Sequence, residues 1–175
     1  MTKVLVVTGS ARPNSANINV VELVKTELEA RYATVEVANL KELALPYFEG
    51  VTVPSAEDFE ITNQAVQHWS DAVKGADAVV FVAPEYNHGL SAIQKNAIDW
   101  LFNEWTDKPV AFVAYGWYAG AHTLAQLQEI STVIKWKPVE KSAGLQFTKD
   151  IELDGSSIDG GLATQIVGET LDLLV

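Results

Sequence analysis

The run Val4-Leu5-Val6-Val7 is apolar at every position. Successive residues of an extended strand point to opposite faces, so a strand without a polar face has to be covered on both sides. Further β-forming runs lie at 34–37, 76–83, 110–115 and 143–147, and helical periodicity occupies the stretches near 60–74, 92–105, 120–136 and 160–173. Regular β-α alternation predicts a parallel sheet with helices on both faces and right-handed crossovers. Five strands at this spacing favour the order 2-1-3-4-5. At 175 residues, 48% of them hydrophobic, the chain can bury roughly two thirds of its unfolded surface, and residues 1–175 read as one domain. The stretch 46–55 reads as a long loop inside that domain.

Two loops carry the chemistry. The first strand empties into Gly9-Ser10-Ala11-Arg12-Pro13-Asn14-Ser15-Ala16-Asn17, after which Ile18, Val21, Val24 and Leu28 recur at helical intervals. Asn14, Ser15 or Asn17 can cap the first turn. The N–H groups and dipole of a helix start favour an anion, and the hydroxyls of Ser10 and Ser15, the Asn17 amide and the Arg12 guanidinium add donors. A capped helix behind a polar turn is the plainer reading, but the arginine among short donors favours a phosphate. Neither G-x-G-x-x-G nor Gly-Lys-Ser/Thr is present, which points to a phosphate monoester. The third strand ends in Pro84-Glu85-Tyr86-Asn87-His88-Gly89. In the order 2-1-3-4-5 this loop meets the first at the switch point where open sheets bind ligands. The loop Tyr115-Gly116-Trp117-Tyr118-Ala119-Gly120-Ala121-His122 has small and aromatic residues suited to a flat ligand.

The composition excludes several alternatives. With no cysteine there is no disulfide, zinc-thiolate site or cysteine nucleophile. A net charge of -11 disfavours nucleic acid and anionic membranes as partners. No apolar run approaches the length of a membrane span, and Met1-Thr2-Lys3 leads straight into a strand, so a cytoplasmic location is the expectation.

The combination of Gly9-Ser10-x-Arg12-x-x-Ser15-x-Asn17, Pro84-Glu85-Tyr86-Asn87 and Lys95-Asn96-Ala97-Ile98-Asp99-Trp100 resembles the NAD(P)H-dependent FMN reductases. This flavodoxin-like group includes quinone, azo-dye and chromate reductases, and the resemblance covers nearly the whole chain. It implies a three-layer sandwich around the five-stranded parallel sheet. Ser10, Arg12, Ser15 and Asn17 would hold the FMN phosphate, with the backbone near Ile18 helping. Pro84, Glu85, Tyr86 and Asn87 would run along the isoalloxazine, and the third loop, with Gly116 and Trp117, would approach from another side. NADPH or NADH would be the co-substrate, and a quinone, azo compound, metal oxyanion or free flavin the small-molecule electron acceptor. The two substrates would come and go in turn, with no catalytic side chain required because the cofactor carries the chemistry. Homodimers or homotetramers are also implied. The chain departs from the family pattern at Leu90-Ser91-Ala92-Ile93-Gln94, where an aromatic, Pro and Gly are usual, and at Trp117-Tyr118; both bear on the pocket over the flavin. A non-enzymatic FMN-binding electron carrier or flavin sensor is the alternative, and Arg12 and the open third loop favour the reductase.

Other constellations read as structural. Lys95, Asn96 and Asp99 recur at helical spacing and suit packing or capping. His68 reads as a helix-surface residue and His122 as a helix start, while His88 adjoins the implied ring; none has metal-ligand spacing in sequence, so no metal site is expected. Gly89-Leu90-Ser91-Ala92-Ile93 lacks the second glycine of a nucleophile elbow, and Asp150-x-Glu152-x-Asp154-Gly155 reads as a surface turn because Gly161 stands where a calcium loop needs an acid. Trp100 and Trp105 suit either a subunit interface or a broadly buried crossover helix.

Overall fold

The structure, a computed structural model, describes residues 2–32, 34–158 and 161–174. The elements run β1 (Lys3–Val7), α1 (Asn17–Glu29), β2 (Thr34–Ala38), α2 (Leu40–Leu43), α3 (Gln64–Gly75), β3 (Ala78–Pro84), α4 (Ala92–Asp99), β4 (Pro109–Gly116), α5 (Ala121–Ile134), β5 (Lys137–Pro138), β6 (Ala143–Gln146) and α6 (Leu162–Leu171). The strands form a parallel sheet in the order β2-β1-β3-β4-β5, with β6 also paired to β4. Among the described residues no helix is long and apolar enough to cross a membrane.

Strand alternation divides the core in two. Leu5, Val7, Phe81, Phe112 and their neighbours face the layer of α3, α4 and α5, where Trp69, Ile98, Trp105 and Leu127 are buried. Val4, Val6, Val80, Val82, Val113 and their neighbours face α1 and α6, against Val20, Val24, Val167 and Leu171. The fully apolar runs of β1 and β3 are thus those of strands packed on both faces.

The structure refines the sequence reading at four points. The fifth strand position holds two short pieces, β5 beside the start of β4 and β6 beside its end; the Lys137 and Val139 N–H groups bond to Lys108 O and Val110 O, so Pro138 sits where its missing N–H faces away from β4. The helix expected over 92–105 ends at Asp99 and resumes as a single 3-10 turn, Asn103–Trp105, where the Glu104 carboxylate accepts the Phe102 N–H at 3.3 Å. Within α1 it is Val20 rather than Ile18 that enters the core, and Ile18 is 62% exposed. The tryptophans Trp100 and Trp105 are buried inside the chain, so their apolarity needs no subunit contact: their indoles donate to Pro46 O (2.7 Å) and Ile98 O (3.3 Å). Asn96 accepts from the Phe48 N–H and donates to Pro46 O, so α4 fastens the long loop after α2. The last helix is described from Leu162; its expected start at residue 160 lies outside the described residues.

The break after α4 places a carboxylate beneath the surface. Ser70 Oγ donates to Glu104 Oε1 at 2.7 Å, and Lys74 Nζ lies 3.4 Å away. Burial alone would raise the Glu104 pKa, but hydrogen bonds from Ser70 and the backbone, with the Lys74 charge, bring it below its ordinary value. A carboxyl whose folded pKa is depressed stabilises the protein above its unfolded pKa, near 4.5 here, and loses that contribution as pH falls through the lowered value. Ser70→Ala is expected to cost about 1–3 kcal/mol at pH 7 and to flatten this acid dependence, read by urea unfolding at pH 7 and below pH 4. A variant with the stability and pH profile of the parent would contradict this reading of Glu104.

Candidate functional site

The carboxyl ends of β1, β3 and β4 bring the three loops together. Asn17, at the start of α1, is 3% exposed and clamps two of those strand ends: its Oδ1 accepts the Gly9 N–H at 3.0 Å and its Nδ2 donates to Val82 O at 3.2 Å. Gln94, buried in α4, donates to Val7 O (3.4 Å) and Val82 O (3.2 Å) from below. The departure Leu90–Gln94 is in this respect structural, and Leu90 is held by its N–H bond to Gln126 Oε1 at 2.7 Å. Gly9 lies so close that a Cβ would stand 2.3 Å from Pro84 Cδ and 2.4 Å from Val82 O. No other residue fits without moving the loop.

The first loop does not cap α1. No side chain bonds to the first turn, contrary to the capping role expected of Asn14, Ser15 or Asn17, because Asn14 takes the left-handed region (φ 54°) and Asn17 turns inward to the clamp. Ser15 O accepts the Ile18 N–H (3.1 Å), while among the described residues the N–H groups of Asn17 and Asn19 find no partner in the chain. Ser10 Oγ meets Tyr86 Oη at 2.6 Å and accepts the Arg12 N–H at 3.2 Å, joining the first and second loops. The Arg12 side chain is exposed and, among the described residues, has no hydrogen bond or ion pair within the chain.

The second loop is a tight turn in which the Tyr86 and Gly89 N–H groups each donate to the other's carbonyl at 3.0 Å, with Asn87 (φ 49°) and His88 (φ 61°) both left-handed. The Glu85 N–H donates to Tyr115 O at 2.9 Å, so of the three N–H groups in Glu85–Asn87 only that of Asn87 makes no such bond. The Glu85 carboxylate turns toward the third loop, where Oε2 accepts the His122 N–H of the first turn of α5 at 2.9 Å. The third loop enters α5 through Gly120 (φ 68°), where a Cβ would lie 2.4 Å from that of Ala114.

Two cavities flank the first loop and share Arg12, Asn14 and Ser15. The larger, about 480 Å³, extends over Ser10, Ile18, Lys25, Asn39 and Lys41. The smaller, about 190 Å³, is walled by Pro84–Tyr86 and Tyr115–Trp117, with Phe147 and Leu153. It unites Arg12, Ser15, Pro84, Glu85, Tyr86, Gly116 and Trp117; Asn87 lies just beyond it, Ser10 and Ile18 line the larger cavity, and Asn17 is buried behind the first loop. Burial pushes the Tyr115 phenol well above its usual pKa, an effect the neighbouring Asn17 amide only partly offsets, so it remains protonated at neutral pH. Sequence reasoning missed Phe147 and Leu153, although the loop after the fifth strand position also emerges at the carboxyl edge, where ligands bind.

A family model for NADPH-dependent FMN reductases matches residues 2–149. The chain belongs to the NADPH-dependent FMN reductase family. Members similar to it include an NAD(P)H-dependent FMN reductase of Nectria sp, 30% identical over 171 residues, which cover 94% of this chain and 85% of that protein. A probable NADPH:quinone oxidoreductase of Oryza sativa subsp. japonica is 26% identical over 182 residues, covering 98% of this chain and 86% of the rice protein. Among solved structures, a flavoenzyme NAD(P)H:(acceptor) oxidoreductase from Paracoccus denitrificans shares the fold, with a TM-score of 0.76 at 24% identity over 99% of this chain and 97% of that one.

In this FMN reductase family member, Asn17 thus acts as the clamp that builds the loop. Asn17→Ala is expected to destabilise the flavin-free protein by about 1–3 kcal/mol, since it leaves the buried Gly9 N–H without its acceptor. Urea unfolding without flavin checks this, and unchanged stability would show that the clamp is dispensable.

Proposed function

We propose that this chain is an NAD(P)H-dependent flavin oxidoreductase that binds FMN with its phosphate at the start of α1 and its ring along the smaller cavity. The observation that carries the reading is the uncapped first turn of a 13-residue helix beside an arginine whose side chain has no partner among the described residues. Unpaired N–H groups and a helix dipole suit a phosphate dianion, and the fully charged, exposed Arg12 can close over it. Membership of the family supports the same cofactor.

The chain's residues then have separate tasks. Arg12, Ser15 and the N–H groups of Asn17 and Asn19 bind the phosphate; Ser10 does so through its position against Tyr86 as well as through its hydroxyl. Pro84, Glu85 and Tyr86 form one wall for the ring, and Gly116 and Trp117 the other. The Asn87 N–H is the main-chain donor of the second loop available to the ring's polar edge. Trp117, edge-on to Phe147 with centroids 5.6 Å apart, shields the mouth on the β4 side. Bound FMN supplies hydride acceptance from a nicotinamide and electron delivery to the acceptor. The acceptor is a quinone or azo compound, with metal oxyanions and free flavin as further candidates, and each substrate leaves before the next enters. The quinone oxidoreductase relative and the aromatic mouth support a planar acceptor.

The protein acts as a homodimer or homotetramer in the cytoplasm. Exposed Trp117 (59%), Tyr118 (61%) and Leu153 (61%) support an assembly that covers the mouth of the site, and the absence of cysteine agrees with a reducing compartment.

Arg12→Ala is expected to weaken FMN binding by about 1.5–3 kcal/mol, or about 10- to 150-fold, with little loss of stability, as measured by flavin fluorescence titration and thermal melting. Unchanged affinity would remove Arg12 from the site. Anaerobic addition of NADPH, and separately of NADH, to the FMN-loaded protein is expected to bleach the flavin near 450 nm. Bound flavin that neither nucleotide reduces would favour the electron carrier or sensor.

A further inference from the structure

We infer that Glu85, His88 and His122 form a binding site for one divalent transition-metal ion of the zinc class at the rim of the smaller cavity. One ligand atom from each of the three residues lies within 4.8 Å of the others. Glu85 Oε1 and His122 Nδ1 are 3.3 Å apart. Neighbouring ligand atoms on a tetrahedral zinc ion with bonds of about 2.0–2.1 Å stand about 3.3 Å from each other, so one edge of the coordination tetrahedron is already in place. The same distance is long for a hydrogen bond and costs little to give up.

The supporting geometry is that of a held ligand set. Only 5% of the Glu85 side chain is exposed, and its second oxygen is fixed by the His122 N–H at 2.9 Å, which leaves Oε1 aimed at the imidazole. His88 is delivered by the turn after β3, where it takes the left-handed region (φ 61°) that non-glycine residues seldom adopt. Its ring stacks on His122 with centroids 3.9 Å apart and planes 9° from parallel, and Tyr118 stands edge-on to both rings. His88 is exposed, which leaves its side chain room to turn a ring nitrogen toward the Glu85–His122 edge. Imidazole and carboxylate suit zinc, nickel and copper better than magnesium or calcium. Three protein ligands leave a fourth position open, as in sites whose ion takes up water or a substrate oxygen. The 33 residues between the two histidines hid this cluster from sequence spacing; the carboxyl ends of β3 and β4 bring them together.

The inference stands on these three side chains and does not need the flavin reading. The full chain, stripped of metal, is titrated with Zn²⁺ at pH 7.5 in competition with a chromophoric chelator. One equivalent is expected to bind. His88→Ala and His122→Ala should each weaken it by at least about tenfold, since even loss of an outer-shell partner costs that much. His68→Ala, the remaining histidine, serves as control and should bind like the parent, with circular dichroism confirming that all variants are folded. Absence of an equivalent site, retention of affinity in either His88→Ala or His122→Ala, or loss of binding in His68→Ala would overturn the proposal.

Discussion

The site depends on one buried amide. Asn17 takes the Gly9 N–H and gives its own N–H to Val82 O, and so ties the loop after β1 to the end of β3. Inside a protein such a bond is worth most when both partners would otherwise be unpaired. Gln94 repeats the tie from the opposite side through Val7 O and Val82 O, and Gly9 permits both by having no side chain. The N-cap position holds Ala16, which has no acceptor, and Asn17 is turned inward, so the first turn of α1 is left without a side-chain cap. The same contact therefore holds the loop and frees the helix start for an anion.

From that clamp the rest of the pocket follows through the sheet. The order β2-β1-β3-β4 makes β1 and β3 neighbours at the switch point, and β4 supplies the third wall. Ser10–Tyr86 joins the first loop to the second, and Glu85–His122 joins the second to the third, so all three loops form one hydrogen-bonded rim. The aromatic layer beneath, in which Trp105 and Trp136 pack around Phe81 and Phe112, holds the strand ends in register.

Much of this was legible in the residues. Two-sided apolar runs at Val4–Val7 and around Phe81, with alternating helices, lead to the parallel sheet and its order, and the polar loop after β1 leads to an anion site. Side-chain direction was not legible. Helical spacing placed Ile18 in one series with Val21, Val24 and Leu28, whereas the helix start rotates it outward, and the Asn17 amide, expected to face a phosphate, bonds beneath the loop to Gly9 and Val82. The end of α4 at Asp99 was hidden because the residues after it are held by contacts far away in sequence, among them those of Glu104 with Ser70 and Lys74. Likewise the Glu85, His88 and His122 cluster exists only once β3 and β4 are neighbours.

The central claim is that the chain recognises a flavin through its phosphate at the start of α1. Comparing FMN and riboflavin affinities by fluorescence quenching tests it most directly, because the two ligands differ only in that group. The account predicts that FMN binds at least about tenfold tighter, the contribution of one charged hydrogen bond or more. Equal affinity would place recognition in the ring alone and contradict the role assigned to Arg12, Ser15 and the uncapped helix.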